Sequence, residues 1–138
     1  KAKKVMGIAN YEAQRCNREH VSPEDIFFGL LKEGNGRACV LFAKQGLDLT
    51  LAISELERRM KSDEEKVIMG KLPLSPNARK VVEEAFVYAK SLDHVHIGTE
   101  HLGYALFSEH SGICGEVLQS AGINRSRYDT DLKSMPRE

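Results

Sequence analysis

The sequence predicts an all-α fold of eight helices, built as two pseudo-two-fold related four-helix repeats. Three observations lead there. Apolar residues recur at spacings of three and four along most of the chain, the period of a helix with one buried face. Capping residues and prolines open the apolar runs, and glycines close them. Residues 2–60 also align on residues 78–136 at a constant offset of 76, without a gap.

Twelve of the 59 aligned pairs are identical, among them Ala9/Ala85, His20/His96, Glu24/Glu100, Gly36/Gly112 and Gly46/Gly122. Others keep their character, such as Phe28/Tyr104, Val21/Ile97 and Asp48/Asn124. Matched glycines and cap positions make the duplication convincing where identity alone would be modest. A long period used twice fits a pair of similar halves better than an open solenoid. The expected division is repeat 1 over 1–60, a linker over 61–74 and repeat 2 over 75–138.

Helix 1 is expected over 2–17, with Val5, Ile8, Ala9, Glu12, Ala13 and Cys16 on one stripe. Ser22 is a good N-cap for helix 2, with Pro23 at the first helical position and Asp25 placed to return a capping-box bond. Helix 2, over 23–33, is apolar around much of its surface and should be central. Gly34-Asn35-Gly36 breaks it, and helix 3 runs to Gln45 with Ala38, Leu41 and Phe42 inward and Gly46 as its stop. Asp48 caps helix 4, over 49–60, with Ala52, Ile53, Leu56 and Met60 inward. Gly7 and Gly29 fall inside helices, where each costs ~1 kcal/mol against Ala unless close helix approach requires it.

The linker is charged at Lys61 to Lys66. Val67-Ile68-Met69 reads as a short strand or an extended surface segment, and Gly70 and Pro73 exclude a regular helix there. Ser75-Pro76 repeats the cap-then-proline signal before helix 5, over 76–92, with Ala78, Val81, Val82, Ala85, Phe86 and Ala89 inward. Helix 6 is expected over 99–108, and helix 7 over 112–121 with Gly122 ending it. Asn124 caps helix 8, over 125–135. The tail Pro136-Arg137-Glu138 reads as an exit into solvent or into a further domain. The chain opens already in helical periodicity, as a trimmed or processed product would.

Composition excludes several classes. Twenty Lys and Arg balance twenty Asp and Glu, without the basic excess of proteins that coat nucleic acid or anionic membranes. No apolar run reaches the ~18 residues of a membrane span, and no signal peptide is visible. Cys16, Cys39 and Cys114 are odd in number and unevenly spaced, which fits free thiols in a reducing compartment and not a disulfide framework.

The most informative polar residues are Glu24 and Glu100, each at the second position of a central helix. A carboxylate there is favoured by the helix dipole and the unpaired N–H groups, so both can be simple first-turn acids. The alternative is that they occupy matching grooves, hold a guanidinium in a bidentate pair, and share the ligand with helix-start N–H groups able to take an anion. Lys3, Lys4, Arg79 and Lys80, in the first turns of helices 1 and 5, could supply cationic contacts to an anionic ligand or an acidic adaptor face. His20 and His96 read as loop histidines. His94, His96, His101, His110 and Cys114 are close in sequence but lack zinc-finger spacing. Cys114 near a His, or Cys16 near His20, has no identifiable orienting acid or oxyanion hole. No phosphate-binding Gly-rich loop is present. A binding module fits these residues better than an enzyme, and no cofactor is expected.

These motifs resemble the double Clp N-terminal repeat at the front of Clp/Hsp100 ATPases, especially the ClpC type of bacteria and plastids. The resemblance covers essentially the whole chain. It rests on Ala78-Arg79-Lys80-Val81, Gly98-Thr99-Glu100-His101-Leu102, Leu31-Lys32-Glu33-Gly34-Asn35-Gly36, and Val117-Leu118 with Gly122. It implies a non-catalytic domain that docks adaptor proteins and protein substrates and passes them to a hexameric unfoldase with a proteolytic chamber, in a bacterial cytoplasm or plastid stroma. In some bacterial relatives paired pockets bind phosphorylated arginine, and the matching glutamates here are Glu24 and Glu100. Thr99 and Ser75 then fall at threonine positions of the family pattern, with Arg79, Lys80, Lys3 and Lys4 nearby. Small plastid relatives lack ATPase modules and associate with the protease core, which implies as an alternative an accessory subunit that stabilises the complex. The first copy departs from the family by reading Ser22-Pro23-Glu24-Asp25. Pro23 lacks the N–H and hydroxyl that Thr99 offers, so the first pocket is expected to be the weaker. Gly103 stands where an aliphatic residue is usual.

Overall fold

Eight helices account for the architecture of the computed structural model, which describes residues 2–15, 20–59, 73–108 and 111–135. They are α1 (Ala2–Arg15), α2 (Pro23–Glu33), α3 (Arg37–Lys44), α4 (Leu49–Arg59), α5 (Pro76–Ser91), α6 (Thr99–Ala105), α7 (Ile113–Ser120) and α8 (Arg125–Ser134). The short strand expected at Val67-Ile68-Met69, most of the linker, Cys16, His110 and the tail lie outside the described residues.

Local chemistry sets the helix starts. The Ser22 hydroxyl accepts the Asp25 N–H while Asp25 Oδ2 accepts the Ser22 N–H at 2.9 Å, a complete capping box before α2. Ser75 Oγ accepts from Ala78 N at 3.0 Å, Asp48 Oδ1 from Leu51 N at 3.1 Å and Asn124 Oδ1 from Arg127 N at 3.0 Å. Gly34, Gly46 and Gly122 take the left-handed conformation that ends a helix. α6 is shorter than expected. From Leu106 onward the N–H groups bond three residues back, Phe107 to Tyr104 and Ser108 to Ala105, which tightens the end out of α-helical form.

The repeats interlock around one main core. α1 lies on α2 and α5 on α6, while α3 of the first repeat packs on α6 of the second and α7 of the second on α2 of the first. Phe27, Phe42, Leu56, Val81, Leu106, Leu118 and Tyr128 fill the interior from both repeats. Residues 73–75 are tied to repeat 1: Val21 N donates to Pro73 O at 2.9 Å and Ser75 N to Val21 O at 2.8 Å, an isolated parallel bridge.

Phe86 was expected inward but is 57% exposed, and Tyr88 is buried in its place. The stripe of α5 runs Ala78, Val81, Ala85, Tyr88 at three and four. Phe86 is one step off that stripe, and the Tyr88 hydroxyl finds Asp129 on α8 at 2.6 Å. The glycines in α1 and α2 differ. A Cβ on Gly29 would lie 2.6 Å from the Val5 carbonyl oxygen, so Gly29 permits the close approach of α1 and α2, whereas Gly7 faces open space.

Gly103 also has a packing reason. A Cβ there would come within 2.5 Å of the Tyr128 hydroxyl and 3.0 Å of Ala38 Cβ. At the corresponding positions repeat 1 holds Phe27 and Ala52, both in the same core. Bulk sits on the central helix in one repeat and on the fourth helix in the other. Exchanging bulk between facing helices in this way keeps the interior filled.

Candidate recognition site

Two of the three helices with glycine N-caps, α3 and α7, are capped by the opposite repeat; the third, α6, has Gly98 as its N-cap. Gly36 and Gly112 have no side chain to receive the first free N–H groups. Thr99 Oγ1 accepts from Ala38 N at 3.3 Å, capping α3. Glu24 Oε2 accepts from Ile113 N at 3.1 Å, capping α7. Both contacts need bare backbone: a Cβ on Gly36 would meet Thr99 Oγ1 at 2.5 Å, and one on Gly112 would overlap Glu24 Oε2. Glu24 at the start of α2, and Thr99 and Glu100 at the start of α6, therefore face the third helix of the other half.

The two glutamates differ in what they meet. Glu100 is buried, its carboxylate folded back over Gly98, where any side chain would overlap it. In that position Glu100 Oε2 lies 3.1 Å from Arg37 Nε, both side chains largely shielded from solvent. Repeat 1 carries Ser22 where repeat 2 has Gly98, and Ile113 stands at the position equivalent to Arg37. Glu24, half-buried, reaches the Ile113 amide, and among the described residues no Lys or Arg side chain pairs with it.

Around Glu100 the 94–98 loop, the start of α6, Arg37 and Ala2 enclose an open cleft of about 590 Å³. Its histidines are ordered by the backbone. Gly98 N–H donates to His101 Nδ1 at 2.7 Å, so neutral His101 carries its proton on Nε2 and donates it to His94 Nδ1 at 2.7 Å. Burial holds the His101 pKa below its ordinary value; Glu100 opposes this, and His94 and Arg37 reinforce it. The hydroxyl of Tyr128 donates to the Glu100 carbonyl at 2.8 Å and pins the first turn of α6 from below.

Of the residues singled out from sequence, Glu100 and Thr99 line this cleft together. Ala2 brings the start of α1 to its rim, and Lys3 and Lys4 follow it as exposed residues. Ser75 is joined to Val21 at the entry to α2, near Glu24 in sequence, and Arg79 is exposed one turn into α5. Lys80 faces elsewhere, into a groove with Tyr88, Tyr104 and Arg125. Arg37 and Ile113 escaped sequence reasoning, and His94 and His101, weighed there only for zinc, pair with each other instead. The offset of 76 carried the signal for Arg37, since a cation stands there against an isoleucine in the other copy.

The remaining chemistry is quiet. Burial pushes the Cys39 thiol up to about 11, and burial likewise raises Cys114 well above its ordinary value, so both stay protonated. Among the described residues no group of three or more His, Cys, Asp or Glu side chains is arranged to hold a metal. Glu33 accepts the Asn35 N–H at 3.0 Å within its own turn. No described helix is long and apolar enough to cross a membrane.

Two interlocked four-helix repeats with crosswise-capped third helices define a duplicated α-helical fold. The chain belongs to the family described as the Clp repeat (R) N-terminal domain, a family of non-catalytic domains, matched over residues 1–121 and again over 73–137. It is 34% identical over 135 residues to the chloroplastic chaperone protein ClpC2 of Oryza sativa subsp. japonica, covering 98% of this chain and 15% of that protein. The chain thus spans a small part of its curated relative. The crystal structure of the N-terminal domain of the chaperone ClpD from Arabidopsis thaliana superposes with a TM-score of 0.72 at 24% identity, covering 96% of this chain and 92% of that one. A ClpV N-domain in complex with a VipB peptide shares the fold at a TM-score of 0.71 and 16% identity, covering 91% of this chain and 78% of that one.

Proposed function

We propose that this domain recruits protein substrates or adaptor proteins to a ClpC-type ATP-dependent unfoldase and protease, by binding and not by catalysis. The family match across both repeats supports this reading, as does the ClpV relative that holds a peptide. Its place of work would be a plastid stroma or a bacterial cytoplasm, the former favoured by the chloroplastic relatives. Each repeat, over 1–60 and 75–138, would supply one carboxylate and share one recognition surface across the junction. Binding at the N-domain would act by raising the local concentration of substrate at the motor.

The specific ligand is an arginine-phosphate group on a substrate protein. The observation that carries it is the pair of equivalent carboxylates, Glu24 and Glu100, each presented at the start of a central helix against the opposite repeat. A carboxylate there can hold a guanidinium, and the exposed Lys3 and Lys4, which follow Ala2 at the rim of the Glu100 cleft, are the candidates to meet the phosphate. Calorimetric titration with free phosphoarginine tests this, with Glu24→Ala and Glu100→Ala variants alongside. Saturable binding weakened by either change supports the reading, and no heat at millimolar ligand from the folded protein removes it.

A further inference from the structure

The two carboxylates are equivalent in sequence and unequal in surroundings. Glu100 meets a guanidinium that belongs to the chain itself, Arg37 at 3.1 Å. Glu24 meets only the Ile113 amide among the described residues. The residues on either side of Arg37 are fixed. Gly36 packs its bare Cα on Thr99, and the Ala38 N–H is bonded to the Thr99 hydroxyl. The root of Arg37 is therefore tethered at the mouth of the cleft that it helps to line. The route by which Glu100 reaches it, folded back over Gly98, is open because that position has no side chain.

From this geometry we infer that Arg37 is a resident guanidinium that occupies the Glu100 carboxylate and competes with guanidinium-bearing ligands for it. The inference rests on the reading that these carboxylates take arginine-phosphate groups. A tethered competitor acts at an effective concentration of order millimolar or above, so a free ligand must displace Arg37 before Glu100 can hold it. Glu24 is then the carboxylate that binds first, which inverts the ranking expected from Pro23. A substrate carrying one modified arginine engages repeat 1, and one carrying several engages both sites only when it displaces Arg37. The sequence contains the natural reference state, because the position equivalent to Arg37 in the other repeat is Ile113.

The test is calorimetric titration with phosphoarginine of the wild-type protein, Arg37→Ile, Arg37→Gln, Glu24→Gln, and the double variant Arg37→Ile/Glu100→Gln, each checked for folding by thermal melting. The glutamine variant keeps a polar side chain in the cleft should the isoleucine variant fold poorly. The expected result is a site in the Arg37 variants that binds roughly tenfold tighter than the wild-type Glu100 site and disappears in the double variant. Arg37 variants that bind no tighter than wild type overturn the inference. If wild-type binding is then still lost in Glu24→Gln, arginine-phosphate recognition stands and only the role of Arg37 falls. If no variant binds at all, both fall together.

Discussion

Gly29 and Gly7 make a matched pair of probes for how α1 is held against α2. Both are mid-helix glycines, and replacing either with alanine gains ~1 kcal/mol of helix propensity. At Gly7 nothing lies within 4 Å of the added methyl, so Gly7→Ala should stabilise the fold by about 0.5–1 kcal/mol. At Gly29 the methyl would sit 2.6 Å from Val5 O, 3.3 Å from Val5 Cγ1 and 3.4 Å from Ala9 N. The first contact is about 0.7 Å short of an ordinary carbon–oxygen approach of ~3.3 Å. Because the clash is with backbone, no side chain can rotate away, and the two helices must separate. Overpacking costs ~1–3 kcal/mol, and with backbone on both sides of the clash the cost falls at the upper end, about 2–3 kcal/mol, so after the propensity gain of ~1 kcal/mol Gly29→Ala should be destabilised by about 1–2 kcal/mol. Urea unfolding followed by circular dichroism should place the two variants on opposite sides of wild type, with melting temperatures displaced by about 3–5 °C per kcal/mol. A Gly29→Ala protein as stable as wild type would refute the close-approach argument.

Two further outcomes follow from the site's supports. Tyr128→Phe removes the bond to the buried Glu100 carbonyl and should cost about 1–2 kcal/mol in the same unfolding assay. It also removes the nearest of the contacts that a Gly103 methyl would make, so Gly103→Ala should cost less in the Tyr128→Phe background, and strictly additive losses would contradict the contact. For His101 the folded-state pKa lies below that of the unfolded chain. The unfolded chain therefore takes up the proton first, so this contribution to stability is complete above pH ~6.5 and declines as pH falls from there toward the folded value. His101→Asn keeps an acceptor for the Gly98 N–H without titrating, and unfolding midpoints measured from about pH 7.5 to 5.5 should fall less steeply for it than for wild type. Equal slopes would show that His101 does not carry the effect.

Much of this protein is determined locally, and that part could be read from the sequence. The starts of α2, α5 and α8 are set by Ser22 with Asp25, Ser75 and Asn124, each within three residues of the amide it receives. Gly46 and Gly122 end helices by their own backbone freedom. The duplication made the second half legible from the first, and its charge pattern drew attention to Glu24 and Glu100. Where neighbours in sequence do not decide the outcome, the reading failed. Phe86 lies one step off the Ala78–Val81–Ala85 stripe that Tyr88 continues, and what lets the Tyr88 hydroxyl be buried there, Asp129 on α8, is distant in sequence.

What the candidate site's residues meet was decided only in three dimensions. The caps of α3 and α7 come from Thr99 and Glu24, which lie 61 and 89 residues from the amides they receive. Tyr128 supports Glu100 from 28 residues away, in space vacated by Gly103. The two glutamates share one local sequence logic, and a first-turn carboxylate is stable whether it meets an amide or a guanidinium. What Glu24 and Glu100 each face is therefore set by how the repeats interlock, which brings Ile113 to the one and Arg37 to the other.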